Sequence, residues 1–237
     1  MNGSASPPLA PLVGNAKRQA IHSLAGYDYQ IWRTVEAWMS LGPDEALFIE
    51  CAEDFDMRSP DGSVANQVKN SAKDISVGSE DVLASIANYW RMRQDNPGAP
   101  GLKFRFLTRG SICSEKTSLF GGRKGLDVWR TAVDGDDDDA LLLARDLHMR
   151  LKDLSLLAFL AGANADLLRA ELFTRIEWVV EEPGHDQVKS VVKHLAQRLG
   201  QSQEVSVNRS RDAIPALLEH CREVRSGAHN VIARSCE

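Results

Sequence analysis

The stretch Leu47-Phe48-Ile49-Glu50-Cys51-Ala52-Glu53-Asp54-Phe55-Asp56-Met57-Arg58-Ser59-Pro60-Asp61-Gly62-Ser63-Val64-Ala65-Asn66-Gln67-Val68-Lys69 decides how this chain folds. Leu47-Phe48-Ile49 enters a strand-like run, Ser59-Pro60-Asp61-Gly62 is a turn signal, and Val64 to Val68 leaves it, so the segment reads as a β-hairpin. Proline presets φ and glycine tolerates φ > 0, which gives the turn its mechanism. Two registers are open. If Asp61-Gly62 form the loop, Pro60 faces Ser63, Asp54 falls opposite Lys69 and Asp56 opposite Gln67. If the turn pivots between Pro60 and Asp61, Asp54 falls opposite Gln67. Alternate strand residues share a face, and cross-strand partners have Cβ atoms about 5 Å apart. Either register gathers Glu50, Asp54, Asp56, Gln67 and Lys69 on one side, and a one-residue slip scatters them.

Acids and carbonyl oxygens beside an ammonium suit phosphodiester hydrolysis, whose barrier is largely electrostatic. A hard cation such as Mg²⁺ takes such oxygens, keeps several waters and neutralises charge developing on a scissile phosphate. On this reading Asp54 is the principal metal ligand, Gln67 and the Val68 carbonyl are candidates for the rest of the shell, and Glu50 stands as a further acid. Mn²⁺ is the expected substitute metal. Lys69 orients the attacking water or helps deprotonate it. The plain alternative is a half-exposed hairpin whose charged side chains face water.

A second motif lies upstream. Gly26-Tyr27-Asp28-Tyr29-Gln30 opens a helix in which Leu24, Tyr27, Ile31, Val35, Trp38 and Met39 recur at helical spacing. Gly26-x-x-Tyr29-Gln30, Ile49-Glu50, Glu53-Asp54 and Gln67-Val68-Lys69 together resemble the PD-(D/E)XK endonuclease effector domain of bacterial CD-NTase antiviral systems, and more distantly Mrr-type restriction nucleases. The resemblance spans roughly residues 20 to 110. It implies a metal-dependent nuclease cutting duplex DNA with little sequence preference, with Asp54, Gln67 and Lys69 in the motif positions and Gln30 contributing from the first helix. Mrr-type enzymes carry Glu where this chain has Gln30, which makes Gln30 a candidate for bonding a metal-bound water. Glu36 is a substitute acid or a solvent-facing side chain. A catalytically inactive DNA-binding or scaffold module on the same fold is the rival reading, and the motif chemistry also admits RNA or single strands.

With 237 residues and 43% hydrophobic content the chain can bury a sizeable core. No apolar run approaches the span of a bilayer, and Met1-Asn-Gly-Ser-Ala-Ser-Pro-Pro8 has neither a basic nor an apolar leader region, so a soluble, cytoplasmic protein with no membrane partner is expected. Cys51, Cys113, Cys221 and Cys236 are too far apart for a Cys-x-x-Cys site, and zinc is not expected. The formal net charge of −5 argues against a nucleic-acid partner only if the charge is spread evenly. It is not. Asp134 and Asp136 to Asp139 form one acidic tract, whereas between Trp90 and Trp129 the cations Arg91, Arg93, Lys103, Arg105, Arg109, Lys116, Arg123 and Lys124 outnumber Asp95, Glu115 and Asp127. This excess could follow a phosphate backbone, with Arg109, Arg123 and Lys124 as candidate DNA contacts. Gly121-Gly122-Arg123-Lys124-Gly125 lacks phosphate-loop spacing and reads as a flexible basic loop.

The expected organisation is a disordered 1–14, a nuclease core over 15–133 and a mainly helical extension over 134–237 that packs on the core or mediates assembly. A helix over about 16–41, the hairpin over 46–70, a helix from Ser79 to Gln94 and a strand from Leu102 to Thr108 approach the α-β-β-β-α-β order of the nuclease core. This holds if Leu47–Cys51 and Glu53–Met57 are separate or bent strands. The fold class is therefore α/β, a restriction-endonuclease-like mixed sheet flanked by helices. Later elements are a Leu- and Ala-rich run over 140–160, a strand within Phe173–Val180, a helix over Asp186–Leu199 and a last one over 210–226 with Pro215 early in it. By the resemblance, the chain is an isolated effector domain, or a subunit working with a separate sensor domain or subunit, and forms a homo-oligomer when active.

Overall fold

The computed structural model describes residues 21–42, 44–49, 52–99, 101–115, 119–202, 207–226 and 231–233. The expected disorder of 1–14, the helix start near 16, Glu50 and Lys116 lie outside the described residues. The chain opens with helix α1 (Ile21–Met39), then strands β1 (Ala46–Ile49), β2 (Phe55–Ser59) and β3 (Gly62–Lys69), helix α2 (Glu80–Asp95) and strand β4 (Lys103–Thr108). The two halves of the first hairpin arm are thus separate strands, which produces the α-β-β-β-α-β order. Helices α3 (Gly125–Val133), α4 (Asp137–Arg150), α5 (Leu154–Gly162) and α6 (Ala165–Glu171) follow. Strand β5 (Ile176–Val179), helices α7 (His185–Ser202) and α8 (Val207–Ser226) and strand β6 (Val231–Ala233) complete the chain.

All six strands form one mixed sheet in the order β5-β4-β3-β2-β1-β6. β2 runs antiparallel to β3 with Ser59 opposite Gly62, Met57 opposite Val64 and Phe55 opposite Asn66. The turn is therefore Pro60-Asp61, and the register that sets Asp54 opposite Lys69 is not adopted. The reason is proline. Facing Ser63 in the ladder, Pro60 could donate nothing, whereas as the first turn residue its fixed φ is an asset, with Ser before it and Gly62 closing the turn. β4 joins β3 in parallel, as the intervening α2 requires, and β5 joins β4 in parallel.

Helices cover both faces. On one, Ala65, Phe104, Phe106, Ile176 and Trp178 of the sheet meet Val82, Ile86, Tyr89 and Trp90 of α2, Trp129 of α3 and Leu143, Leu147 and Leu168 of α4 and α6. On the other, Leu47, Ile49, Phe55, Val68 and Leu107 meet Tyr29, Ile31, Trp32 and Val35 of α1, Val188 and Val192 of α7 and Ile214 and Leu218 of α8. β3 shows buried residues on both faces, as a strand covered twice must. The acidic tract serves α4: Asp136 caps its N-terminus by accepting from the Asp139 N–H, and Asp137 and Asp138 sit in its first turn. The Leu- and Ala-rich run is broken by Asp153, which caps α5 through the Ser155 and Leu156 N–H groups. Pro215 lies inside α8, whose start is earlier than the periodicity suggests. Among the described residues no helix is long and apolar enough to cross a membrane.

Candidate functional site

The hairpin ladder ends at the Phe55 and Asn66 pair, and one further step sets Asp54 opposite Gln67. There the Asp54 carboxylate takes over from the missing strand: its Oδ2 accepts from the Val68 N–H at 2.6 Å. On the α2 side, Gln67 is held at both ends of its amide. Its Nε2 donates to Glu53 Oε2 at 3.1 Å, and its Oε1 accepts from the hydroxyl of Ser85, a fully buried residue of α2, at 2.7 Å. Lys69, two residues on and on the same face, places Nζ 3.5 Å from Asp81 Oδ1. Both partners are substantially exposed, and such a pair contributes about 0 to 1 kcal/mol, so the ammonium is available to a competing anion.

Glu53 is the acid that gains most from the three-dimensional arrangement. Its Oε1 accepts from Asn88 Nδ2 at 3.3 Å while Oε2 accepts from Gln67. Burial, and after it the neighbouring Asp54 carboxylate, push the Glu53 carboxyl up to about 7. Asp56 turns inward instead. It is buried, its Oδ2 accepts from the Ala52 N–H at 3.0 Å, and burial pushes its carboxyl up to about 6. It therefore folds the Ala52–Asp54 loop back onto β2.

Gln30 reaches the site from α1, its Nε2 donating to the Val68 carbonyl at 3.2 Å. A carbonyl only accepts, so the amide NH₂ faces Val68. Gln30 thus braces the strand beside Asp54. Glu36 stands with Arg33 at 3.0 Å, and Arg33 also meets Glu182 at 2.6 Å. Desolvation raises the Glu36 carboxyl, with Arg33 opposing. Its partners are thus the α1 and post-β5 charges, not the Asp54 group.

The basic stretch is dispersed. Arg93 pairs with Glu171, Arg105 with Glu177, and Arg123 with Asp139, so acids from later in the chain neutralise three cations of the basic excess, among them the candidate DNA contact Arg123. Arg123 in particular makes a two-pronged contact with Asp139 at 2.7 and 2.5 Å, beside the Thr131 hydroxyl that also bonds Asp139. Lys124 is exposed just before α3. Arg109 does come near the hairpin, donating to Asn70 Oδ1 at 3.1 Å at the end of β3. Gly121 and Gly122 both have positive φ, 62° and 86°, which explains the glycine pair without a phosphate.

Asp54, Gln67 and the Val68 carbonyl offer oxygen donors of the kind a hard cation takes, and the Glu53 carboxyl stands beside the Asp54 carboxylate. Among the described residues no three His, Cys, Asp or Glu side chains form a metal-holding group. The residues missed by sequence reasoning are Ser85 and Asn88. With Asp81 they recur at i, i+4 and i+7 on α2, a polar stripe beside the buried Val82, Ile86, Tyr89 and Trp90, and each touches one member of the hairpin group.

No protein-family model matches the chain, and no curated protein matches it. Among solved structures, the Acinetobacter baumannii Cap4 SAVED/CARF-domain containing receptor, with the cyclic trinucleotide 3'3'3'-cAAA, is similar over 88% of this chain with 13% identity and a TM-score of 0.50. The Moraxella osloensis Cap4 SAVED/CARF-domain containing receptor is similar over 86% of this chain with 10% identity and a TM-score of 0.48. The matched part is 42% of the first receptor and 43% of the second, so this chain spans less than half the length of either. The A. baumannii match reflects a common fold.

Proposed function

We propose that the chain is a metal-dependent nuclease that hydrolyses duplex DNA in bacterial antiviral defence. The observation that carries the reading is the joint placement of Asp54, Gln67 and Lys69 on one face beside α2, each held by a named partner. Mg²⁺ is the proposed metal, held by Asp54, Gln67 and the Val68 carbonyl; when bound it would stabilise charge on the phosphate and activate water. The chain's own part is positioning. Asp54 is fixed by Val68, Gln67 by Glu53 and Ser85, and Lys69 exchanges its weak pairing with Asp81 for the phosphate or the attacking water. The resemblance to defence effector domains supports the biological setting. In this reading cleavage belongs to this chain and nucleotide sensing to a separate domain or subunit, for which the A. baumannii receptor, described with a cyclic trinucleotide and more than twice the matched length, leaves room.

Incubation of purified protein with plasmid, linear duplex, single strands and RNA, with Mg²⁺ and with chelator, tests this. Duplex cleavage that needs Mg²⁺ and falls roughly 100-fold or more in Lys69→Ala is expected. Cleavage unchanged in both Lys69→Ala and Asp54→Asn overturns it. The second reading is a non-cleaving DNA-binding module on the same fold, favoured by the absence of a three-ligand metal group among the described residues. It predicts metal-independent binding and no cleavage.

A further inference from the structure

The contacts of the α2 polar stripe do not stop at Glu53, which lies in the loop before β2. Asn88, whose amide nitrogen donates to Glu53 Oε1, accepts with its Oδ1 from Arg91 Nη2 at 2.6 Å. A chain of contacts thus runs from Gln67 through Glu53 and Asn88 to a guanidinium one turn further along the helix. Glu53, Asn88 and Arg91 line one open cleft of about 340 Å³, together with Ala52, Met92 and Asp95. Arg93, Arg105 and Arg123 each pair with a carboxylate within 4 Å, whereas Arg91, like Arg109, is held by a neutral amide, with the Asp153 carboxylate acting on it only from beyond that distance.

We infer that Arg91 is a phosphate-binding residue for the nucleic-acid backbone next to the cleavage site, and that Asn88 and Glu53 are the residues that position it. The inference rests on the nuclease reading and adds a subsite to it. A guanidinium presents paired N–H donors that match a phosphate, and the Asn88 bond fixes the plane of that fork while other donors remain available. Arg91 lies ten residues beyond Asp81, the partner of Lys69. At the helical rise this is about 15 Å, on the order of four base-pair steps of duplex. Arg91 therefore meets the backbone a few nucleotides from the bond at Lys69, and its contact sets affinity and register independently of the chemistry.

The test is duplex binding by fluorescence anisotropy in chelator, where nothing is cut, over a series of salt concentrations. Relative to wild type, Arg91→Ala should bind roughly 5- to 10-fold more weakly at low salt, and the slope of log K against log salt should become shallower by about 0.9, the value of one phosphate contact. Arg91→Lys keeps the charge and should restore the slope with only part of the affinity. Asn88→Ala should keep the slope and lose affinity about 2- to 3-fold, because the charge stays and only its aim is lost. A melting curve on each variant shows whether the fold is intact. If wild type binds and Arg91→Ala keeps both affinity and slope, or loses affinity at an unchanged slope, the assignment of Arg91 falls while the nuclease reading stands. If wild type itself binds no duplex, the reading of duplex DNA as substrate fails first.

Discussion

The Asp54 carboxylate accepts from the backbone N–H of Val68 at 2.6 Å, where the β2 ladder has run out. The proposed metal ligand is therefore also a structural group. Removing it leaves a β3 donor without its acceptor, at a cost of about 1 to 3 kcal/mol. Asp54→Ala should lower Tm by roughly 5 °C for a chain of this size. Asp54→Asn keeps an oxygen for Val68 and should hold Tm within a degree or two of wild type while losing metal-dependent cleavage. Calorimetry and plasmid cleavage on the two variants check this; equal Tm losses would mean that charge, not acceptance, holds the strand.

Gln67 Oε1 receives the Ser85 hydroxyl at 2.7 Å, and the same hydroxyl lies 2.7 Å from the Asp81 carbonyl one turn back. One O–H proton serves one acceptor at a time, so the helix carbonyl competes with Gln67. Ser85→Ala removes the bond from the Gln67 side without opening a large cavity. Groups that orient a metal ligand typically affect metal affinity or activity by about 10- to 100-fold. Ser85→Ala should therefore shift half-maximal cleavage to roughly 10-fold higher Mg²⁺. Titrating Mg²⁺ in both proteins decides it, and identical curves would remove Gln67 from the metal's surroundings.

The register of the hairpin was within reach of the sequence, because a proline facing Ser63 would waste a ladder position, yet turn residues alone left two registers open. The alternation that gathers Asp54, Gln67 and Lys69 is a property of any strand and could be read directly. Asp56 shows where alternation stops being informative. It shares their parity but turns in to the Ala52 N–H, because β2 begins at Phe55 and the preceding loop needs an internal acceptor. The fate of the basic stretch was illegible for another reason. Glu171, Glu177 and Asp139 lie far along the chain from the arginines they neutralise, or across a helix boundary, and only the packing of α4, α6 and β5 brings them there. Asp81, Ser85 and Asn88 share helical spacing, but that spacing does not say which strand they face, so nothing in the sequence ties them to the hairpin.

Glu53 and Asp56 both have raised carboxyls, and Glu53 sets the upper end of the pH dependence. Its carboxyl is raised to about 7, above the ordinary 4.5, so the folded, metal-free protein takes up a proton that the unfolded chain does not hold between those values. The unfolded state binds fewer protons in that window, so the Glu53 contribution makes stability fall as pH rises through it. A divalent cation beside Asp54 favours the ionised form, and its binding displaces the proton. Affinity for Mg²⁺ should thus rise with pH up to about 7 and level off above it. Glu53→Gln should flatten that rise. Calorimetric Mg²⁺ titrations in two buffers of different ionisation enthalpy measure the proton released, and none released by wild type at pH 6 would separate Glu53 from the metal.

The loop after β4 approaches the loop after β3 so closely that a side chain has no room. A Cβ built on Gly110 would lie 2.0 Å from the Lys73 carbonyl oxygen and 2.6 Å from its carbon. The two loops are joined there by the Ile75 N–H donating to Ser111 and the Cys113 N–H donating to Ile75, both at 2.9 Å. Backbone atoms cannot swing aside as a flexible side chain can, so Gly110→Ala should cost about 3 kcal/mol or more. It also displaces the adjacent Arg109 from Asn70 at the end of β3. Gly26 is the contrasting case. It lies within α1, and nothing stands within 4 Å of a Cβ built there, so Gly26→Ala should stabilise the helix by up to about 1 kcal/mol. Thermal melts of the pair should move in opposite directions; a Gly110→Ala protein as stable as wild type would mean that the two loops separate at little cost.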